Sequence, residues 1–303
     1  MAARDFFMLC LGKLISFVLY NHFHMRLLQD KNFQTRTLTG FFFVGVIIAS
    51  VFIHVYTFYI LAIAITGLCL YEFYSLTLEE NQPFFRVFAT ILGVLPITSI
   101  FLCEIVFNTM QVQRILFMGF ATGCYVLLFL QLFYRSSTPF ANIAFAFLGY
   151  LYVSASLLLF VFNVDAYYDY SRPVFAILLF ILVWVNDTGA YIAGSLFGKT
   201  RLFERISPKK SWEGTIGGLV LCMLIAAPYG KYVLHSSPLL YCGLGLTIAI
   251  FSTLGDLIES QLKRSLNIKD SGRLLPGHGG FLDRFDGFLM AMPAAYLYML
   301  LVK

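Results

Sequence analysis

Along almost the whole chain, apolar runs about as long as a bilayer is thick alternate with short polar breaks. A helix rises 1.5 Å per residue, so about 20 apolar residues cross a hydrocarbon core of about 30 Å. Nine such stretches stand out: 38–55, 57–76, 87–106, 115–134, 140–163, 173–198, 214–234, 238–258 and 285–302. Inside lipid every backbone N–H and C=O must be paired within the protein, and a segment of this length does that by becoming a helix. The pattern therefore predicts an all-α fold, a polytopic membrane bundle of about nine helices. Three regions follow. Residues 1–37 form an N-terminal cytoplasmic or interfacial segment, 38–172 the N-terminal helices, and 173–303 a C-terminal region with two long polar loops, 199–213 and 259–284. Phe6–Tyr20 is apolar but short, Lys13 interrupts it, and no small-residue cleavage site follows. It reads as an interfacial helix rather than a signal peptide.

Composition agrees: 59% of the 303 residues are hydrophobic, 12% are charged, and the mean hydropathy is +0.80. A soluble domain carries about a quarter charged residues. The net charge of +5 does not point to nucleic acid, because the basic residues sit in short loops between apolar runs. With the N-terminus inside, 17 of the 21 Lys and Arg fall on one side of the membrane and only Arg114, Arg172, Lys231 and Lys303 on the other. The positive-inside rule makes the richer side cytoplasmic and places both polar loops there. The six cysteines are scattered through apolar stretches, without the spacing of a zinc site or a disulfide framework.

Ionisable groups in or beside membrane spans are costly and are functional candidates by default. Here they are Glu72, Glu104, Asp187, Asp256, Asp283 and Asp286. Asp283 and Asp286, three apart, share a face if both are helical, and Asp256 lies near the cytoplasmic end of the preceding span. Three anions brought together call for a cation, and hard oxygen ligands with open water positions suit Mg²⁺ beside a phosphate substrate. Interhelical ion pairs with Lys263, Arg264 or Arg284 are the other way to satisfy them. Asp187 lies about 16 Å below the loop at 199 by helical rise, and a polar cluster with Asn186 and Thr188 is its structural alternative. Lys209 and Lys210 precede Ser211, a candidate helix cap, and lysines at a helix N-terminus favour an anion such as a triphosphate. Pro276-Gly277-His278-Gly279-Gly280 lets backbone N–H groups approach phosphate closely. Gly194-Ser195-Leu196-Phe197-Gly198-Lys199-Thr200 has one residue too few between its glycines for a phosphate-binding P-loop, and it ends a membrane helix, so close helix packing explains it better.

From Ser260 to Asp286 the residues Ser260, Leu262-Lys263-Arg264, Lys269-Asp270, Gly272, Leu275-Pro276, His278-Gly279-Gly280-Phe281, Asp283-Arg284-Phe285 and Asp286 resemble the complete signature of the phosphatidate cytidylyltransferases. Asn186-Asp187 and Lys209-Lys210-Ser211-Trp212-Glu213-Gly214 resemble other landmarks of that family, so the likeness covers roughly residues 180–290. The resemblance implies CTP and phosphatidate as substrates, CDP-diacylglycerol and diphosphate as products, and a homodimer in a bilayer. It implies Mg²⁺, as two divalent ions or one divalent and one monovalent ion. On that basis Asp256, Asp283 and Asp286 are expected to hold the metal, and Asp283, Asp256, Lys209, Lys210 and His278 to be catalytic. Lys209, Lys210, Ser211, Glu213, Arg264, His278, Gly279, Gly280, Arg284 and Asp187 are expected to bind substrate. The compact C-terminus resembles bacterial members, which implies the bacterial inner membrane. Two rivals stay open at this level: a CTP-dependent lipid kinase, and an ion-coupled transporter, which would spread its acids through the bundle.

Overall fold

A computed structural model describes residues 31–79, 81–104, 110–166, 171–272 and 279–302. Each apolar stretch has become a helix: α1 (Lys31–Ile53), α2 (Val55–Thr77), α3 (Pro83–Leu102), α4 (Met110–Leu130), α5 (Pro139–Asp165), α6 (Ser171–Phe197), α7 (Trp212–Tyr232), α8 (Pro238–Ser265) and α9 (Asp286–Val302). Six of them, α2, α3 and α5 to α8, have the length and apolarity to cross a bilayer, while α1, α4 and α9 contribute shorter apolar stretches. The interfacial helix expected at Phe6–Tyr20 lies outside the described residues. Helix α1 already begins at Lys31, within the segment expected to precede the bundle.

The boundaries have local causes. Pro83, Pro139 and Pro238 stand at first helical positions, where a missing N–H costs nothing. Ser211 caps α7 as its sequence context suggests, its Oγ accepting the Gly214 N–H at 3.2 Å. Helix α5 carries a wide turn at Tyr150–Ser154. Tyr74 donates to the Ala146 carbonyl at 2.9 Å just before it, and Tyr150 donates to the Ala89 carbonyl at 3.1 Å.

Two expectations for the polar loops need correction. The 199–213 loop is not irregular: β1 (Arg201–Phe203) and β2 (Ser207–Ser211) pair antiparallel, with Arg201 opposite Ser211, so the bundle carries one short hairpin. The loop expected at 259–284 starts late, because α8 continues to Ser265 and places Glu259, Lys263 and Arg264 on a helix. An i,i+4 bridge from Lys263 to Glu259, 3.1 Å long, supports that extra length.

The closest packing joins α6 to α7, α7 to α8 and α8 to α9. Small residues permit it. A Cβ at Gly214 would stand 2.7 Å from the Ala190 carbonyl oxygen and 3.1 Å from the Gly194 Cα, and both are backbone atoms. Backbone cannot swing aside, so Gly214→Ala should push α7 off α6. We expect a cost of about 1–3 kcal/mol, read as a lower thermal midpoint in detergent. One aromatic core ties the two halves of the chain together: Phe288 of α9 stacks on Phe180 of α6 at 4.7 Å and meets Phe160 of α5 edge-on at 5.0 Å. Phe285, at the approach to α9, packs edge-on against Phe43 of α1 at 5.7 Å. The start of α9 is thereby held by three other helices.

Candidate active site

The hairpin lays its second strand over the ends of α6, α7 and α8. Beneath it opens a cavity of about 380 Å³, lined by Asp187 of α6, Asp256 of α8, and Lys209 and Lys210 of β2, among others. Lys210 reaches down to Asp256, Nζ to Oδ2 at 2.6 Å. Asp187 is open to the cavity, whereas its neighbour Asn186 is buried and donates to Thr253 Oγ1 of α8 at 3.2 Å. Adjacent positions have thus divided the work: Asn186 joins helices and Asp187 faces the space. Thr188 back-bonds to the Trp184 carbonyl at 2.8 Å and takes no part in that cluster.

From Asp256 the acids continue in a row. Asp256 lies within hydrogen-bonding range of Asp286, Asp286 of Glu259, and Glu259 of Asp283. Glycines allow α8 and α9 to close to this distance, since a Cβ at Gly287 would sit 2.9 Å from Asp256 Oδ1 and one at Gly255 2.9 Å from the Gly287 Cα. Glu259 was not a sequence candidate. Its signal, an acid four residues before Lys263 in a largely apolar run, was readable only once α8 was known to extend past 258.

Asp283 does not share a helical face with Asp286, correcting that expectation, because it sits in the single 3₁₀ turn Leu282–Arg284 that precedes α9. Its oxygens are both engaged. Oδ1 accepts from Lys263 Nζ at 2.7 Å, and Oδ2 accepts the backbone N–H groups of Ser271 at 3.0 Å and Gly280 at 2.9 Å. Burial works to raise its pKa, but the Lys263 ammonium, Glu259 and the two backbone donors outweigh it and hold the carboxyl at about 2. Asp283 is therefore a charged anchor at neutral pH. The Gly280 N–H, expected to face phosphate, is spent on this anchor. Gly279 has φ +84°, a conformation that favours glycine, and a Cβ there would stand 3.0 Å from Asp283 Oδ2. His278 lies outside the described residues.

Glu213, expected to bind substrate, accepts the Lys199 N–H at 3.1 Å and the Thr200 N–H at 3.1 Å, and so closes the base of the hairpin. Ser211 has its Oγ on the α7 cap. Arg264, in the last turn of α8, and Arg284, in the 3₁₀ turn, are exposed at this same end of the bundle.

Among the described residues, no three His, Cys, Asp or Glu side chains already converge on a metal position. Asp256, Asp283 and Asp286 are not gathered at one point, since Glu259 stands between Asp283 and Asp286. The charge balance and donor chemistry still fit a hard cation. The row holds four carboxyls against the ammoniums of Lys210 and Lys263, and two buried oxygens beside it, Glu259 Oε1 and Ser252 Oγ, have no hydrogen-bond partner among the described residues. Mg²⁺ commonly uses one or two carboxylates and takes its other ligands from water and substrate phosphate. Asp256 and Asp286, within hydrogen-bonding range of each other, would be the pair to supply them.

The family model described as the cytidylyltransferase family matches residues 34–302. The chain belongs to the cytidylyltransferase family. Among curated relatives, the phosphatidate cytidylyltransferase of Staphylococcus epidermidis is 38% identical over 184 residues, which is 60% of this chain and 68% of the relative. That of Staphylococcus aureus is 38% identical over 189 residues, covering 61% and 68%. That of Staphylococcus saprophyticus is 38% identical over 191 residues, with the same coverage. Family membership extends over α1 to α9, well beyond the 180–290 segment in which the signature residues are found.

Proposed function

We infer that this cytidylyltransferase joins CTP to phosphatidate in the membrane, giving CDP-diacylglycerol and diphosphate. One observation carries the reading: a lysine-bearing hairpin strand stands across a cavity from Asp187 and Asp256, and Asp256 begins a row of carboxyls between α8 and the start of α9. The reaction needs such a place. A phosphate oxygen of phosphatidate attacks the α-phosphorus of CTP, one P–O bond forms, the bond to the β-phosphate oxygen breaks, and diphosphate leaves. The nucleophile is already an anion, so no strong base is required. The barrier lies in bringing two anions together and stabilising the departing charge, which is work for positioning and cations.

In this scheme Lys209 and Lys210 hold the triphosphate, Arg264 and Arg284 meet phosphate at the rim, and Asp187 lines the polar path of the lipid headgroup. Asp283 keeps the glycine segment closed upon itself. Asp256 and Asp286 would hold a divalent cation, magnesium suiting their hard oxygen donors, and it would supply charge neutralisation at the phosphates. We also propose that the site faces the cytoplasm of a bacterial inner membrane, the side that carries 17 of the 21 basic residues, and that the enzyme works as a homodimer.

Purified protein in detergent, given α-labelled CTP, phosphatidate and Mg²⁺, should move the label into the lipid fraction, and chelation should stop it. Label recovered as soluble CDP would mean a lipid kinase instead, and intact CTP would remove the enzymatic reading. The clustering of the acids at one end, beside lysines, favours the transferase over an ion-coupled transporter.

A further inference from the structure

Glu72 is a buried acid that the reaction above does not use. It lies on α2, in the N-terminal half, with 4% of its surface exposed. Its partners come from far along the chain. Oε2 accepts the Leu282 N–H at 2.7 Å and the Ser271 hydroxyl at 3.3 Å, across sequence separations of 210 and 199 residues. Oε1 is buried with no hydrogen-bond partner among the described residues. Two signature glycines leave space for the carboxylate. A Cβ at Gly272 would collide with Oε1, and one at Gly280 would stand 2.8 Å from Oε2 and run into the Ser271 hydroxyl. Glu72 thus fills the volume that side chains at 272 and 280 would need.

We propose that Glu72 is a positioning residue for the cytidylyl transfer: from α2 it fixes Ser271 and Leu282, and so sets where Gly280, Asp283 and the start of α9 stand relative to the site. The proposal rests on the reaction assigned above. Asp283 draws the Ser271 and Gly280 N–H groups to one oxygen, which joins these residues to the turn before α9 and to nothing in the N-terminal half. Glu72 adds the external reference, because it holds Ser271 on one flank and Leu282 on the other against a helix outside the C-terminal region. The glycines at 272 and 280 are then required less for backbone freedom than for room. Displacement of a positioning element by about 1 Å can cost about a hundredfold in rate.

Glu72→Gln keeps the shape and one acceptor but loses the charge. Its kcat should fall about tenfold or more, with the thermal midpoint in detergent changing far less in proportion, and the Leu282 amide should exchange faster with deuterium. A suppressor gives the sharper test. Gly272→Ala alone should be impaired, and Glu72→Asp, which withdraws the carboxylate by one methylene, should restore part of the activity in the double variant. Wild-type kcat with unchanged Leu282 exchange in Glu72→Gln would overturn the proposal, as would a Gly272→Ala/Glu72→Asp protein no better than additivity of the two losses. The outcome is separable from failure of the reaction assignment. If wild type moves no label into lipid, that assignment falls, while Leu282 exchange and the coupling of the two substitutions in thermal stability still decide the role of Glu72.

Discussion

Asp283→Asn should abolish cytidylyl transfer while the protein still inserts and folds. Asparagine offers one oxygen to the Ser271 and Gly280 N–H groups and an amide nitrogen in place of the other carboxylate oxygen. Its amide must then either turn its donor toward the Lys263 ammonium or give up the backbone contacts, since Asp283 satisfies both sides at once in the wild type. Lys263 is left to Glu259 alone, and the acid row loses the carboxylate at its far end. Removing one partner of a partly buried ion pair costs about 3–5 kcal/mol where the other cannot be rehydrated. A share of that appearing in the transition state corresponds to at least a hundredfold, or about 2.7 kcal/mol, in kcat/KM. Label transfer into lipid, measured beside the thermal midpoint in detergent, is the check. Near-normal turnover would show that the anchor is dispensable, and with it the idea that the segment before α9 must be held for reaction. Lys263→Met should mimic the loss, because the same contact is cut from its other end.

The helices were legible in the chain and the contacts among their polar groups largely were not. Lipid leaves a long apolar run no choice but to pair its own backbone groups, so each of the nine stretches became a helix, with α1 starting earlier and α8 ending later than the apolar run itself. Helix α8 outran its reading because Glu259, Lys263 and Arg264 resemble a loop in hydropathy but make a good final helical segment, with an i,i+4 bridge and basic residues near the C-terminal carbonyls. The hairpin was hidden for a different reason: strands of three and five residues, one containing Pro208, carry no period long enough to register. Asp187, Lys210, Asp256 and Asp286, far apart in sequence, gather at one end of the bundle. Their division of labour was not readable. Glu213 looked like part of a substrate motif until its oxygens were seen to close the hairpin on Lys199 and Thr200. Glu72 offered no assignable role at all, because every group it holds lies some 200 residues away. Identity and spacing tell which residues are costly, while only packing tells which neighbour relieves the cost.

Lys210→Met should reduce kcat/KM for CTP by about a hundredfold or more, and the response of its partner separates a substrate-binding lysine from a structural one. The Lys210–Asp256 contact is short, 2.6 Å, and both side chains are only partly exposed, at 27% and 22%. If the pair served stability alone, each single substitution would strand an unpaired charge, and Lys210→Met/Asp256→Asn would recover both stability and activity. The cavity argues for the opposite pattern in activity. Lys210 stands on a hairpin strand over the cavity, where a triphosphate can compete with Asp256 for the ammonium, and Asp256 stands next to Asp286, the pair that would hold a divalent cation. The ion pair is then the resting arrangement of two groups that both turn to substrate. The double variant should therefore regain thermal stability relative to either single variant yet remain as inactive as the worse of them. Thermal midpoints in detergent and label transfer at graded CTP concentrations measure the two quantities separately. Recovery of turnover in the double variant would reduce Lys210 and Asp256 to a strut between the hairpin and α8.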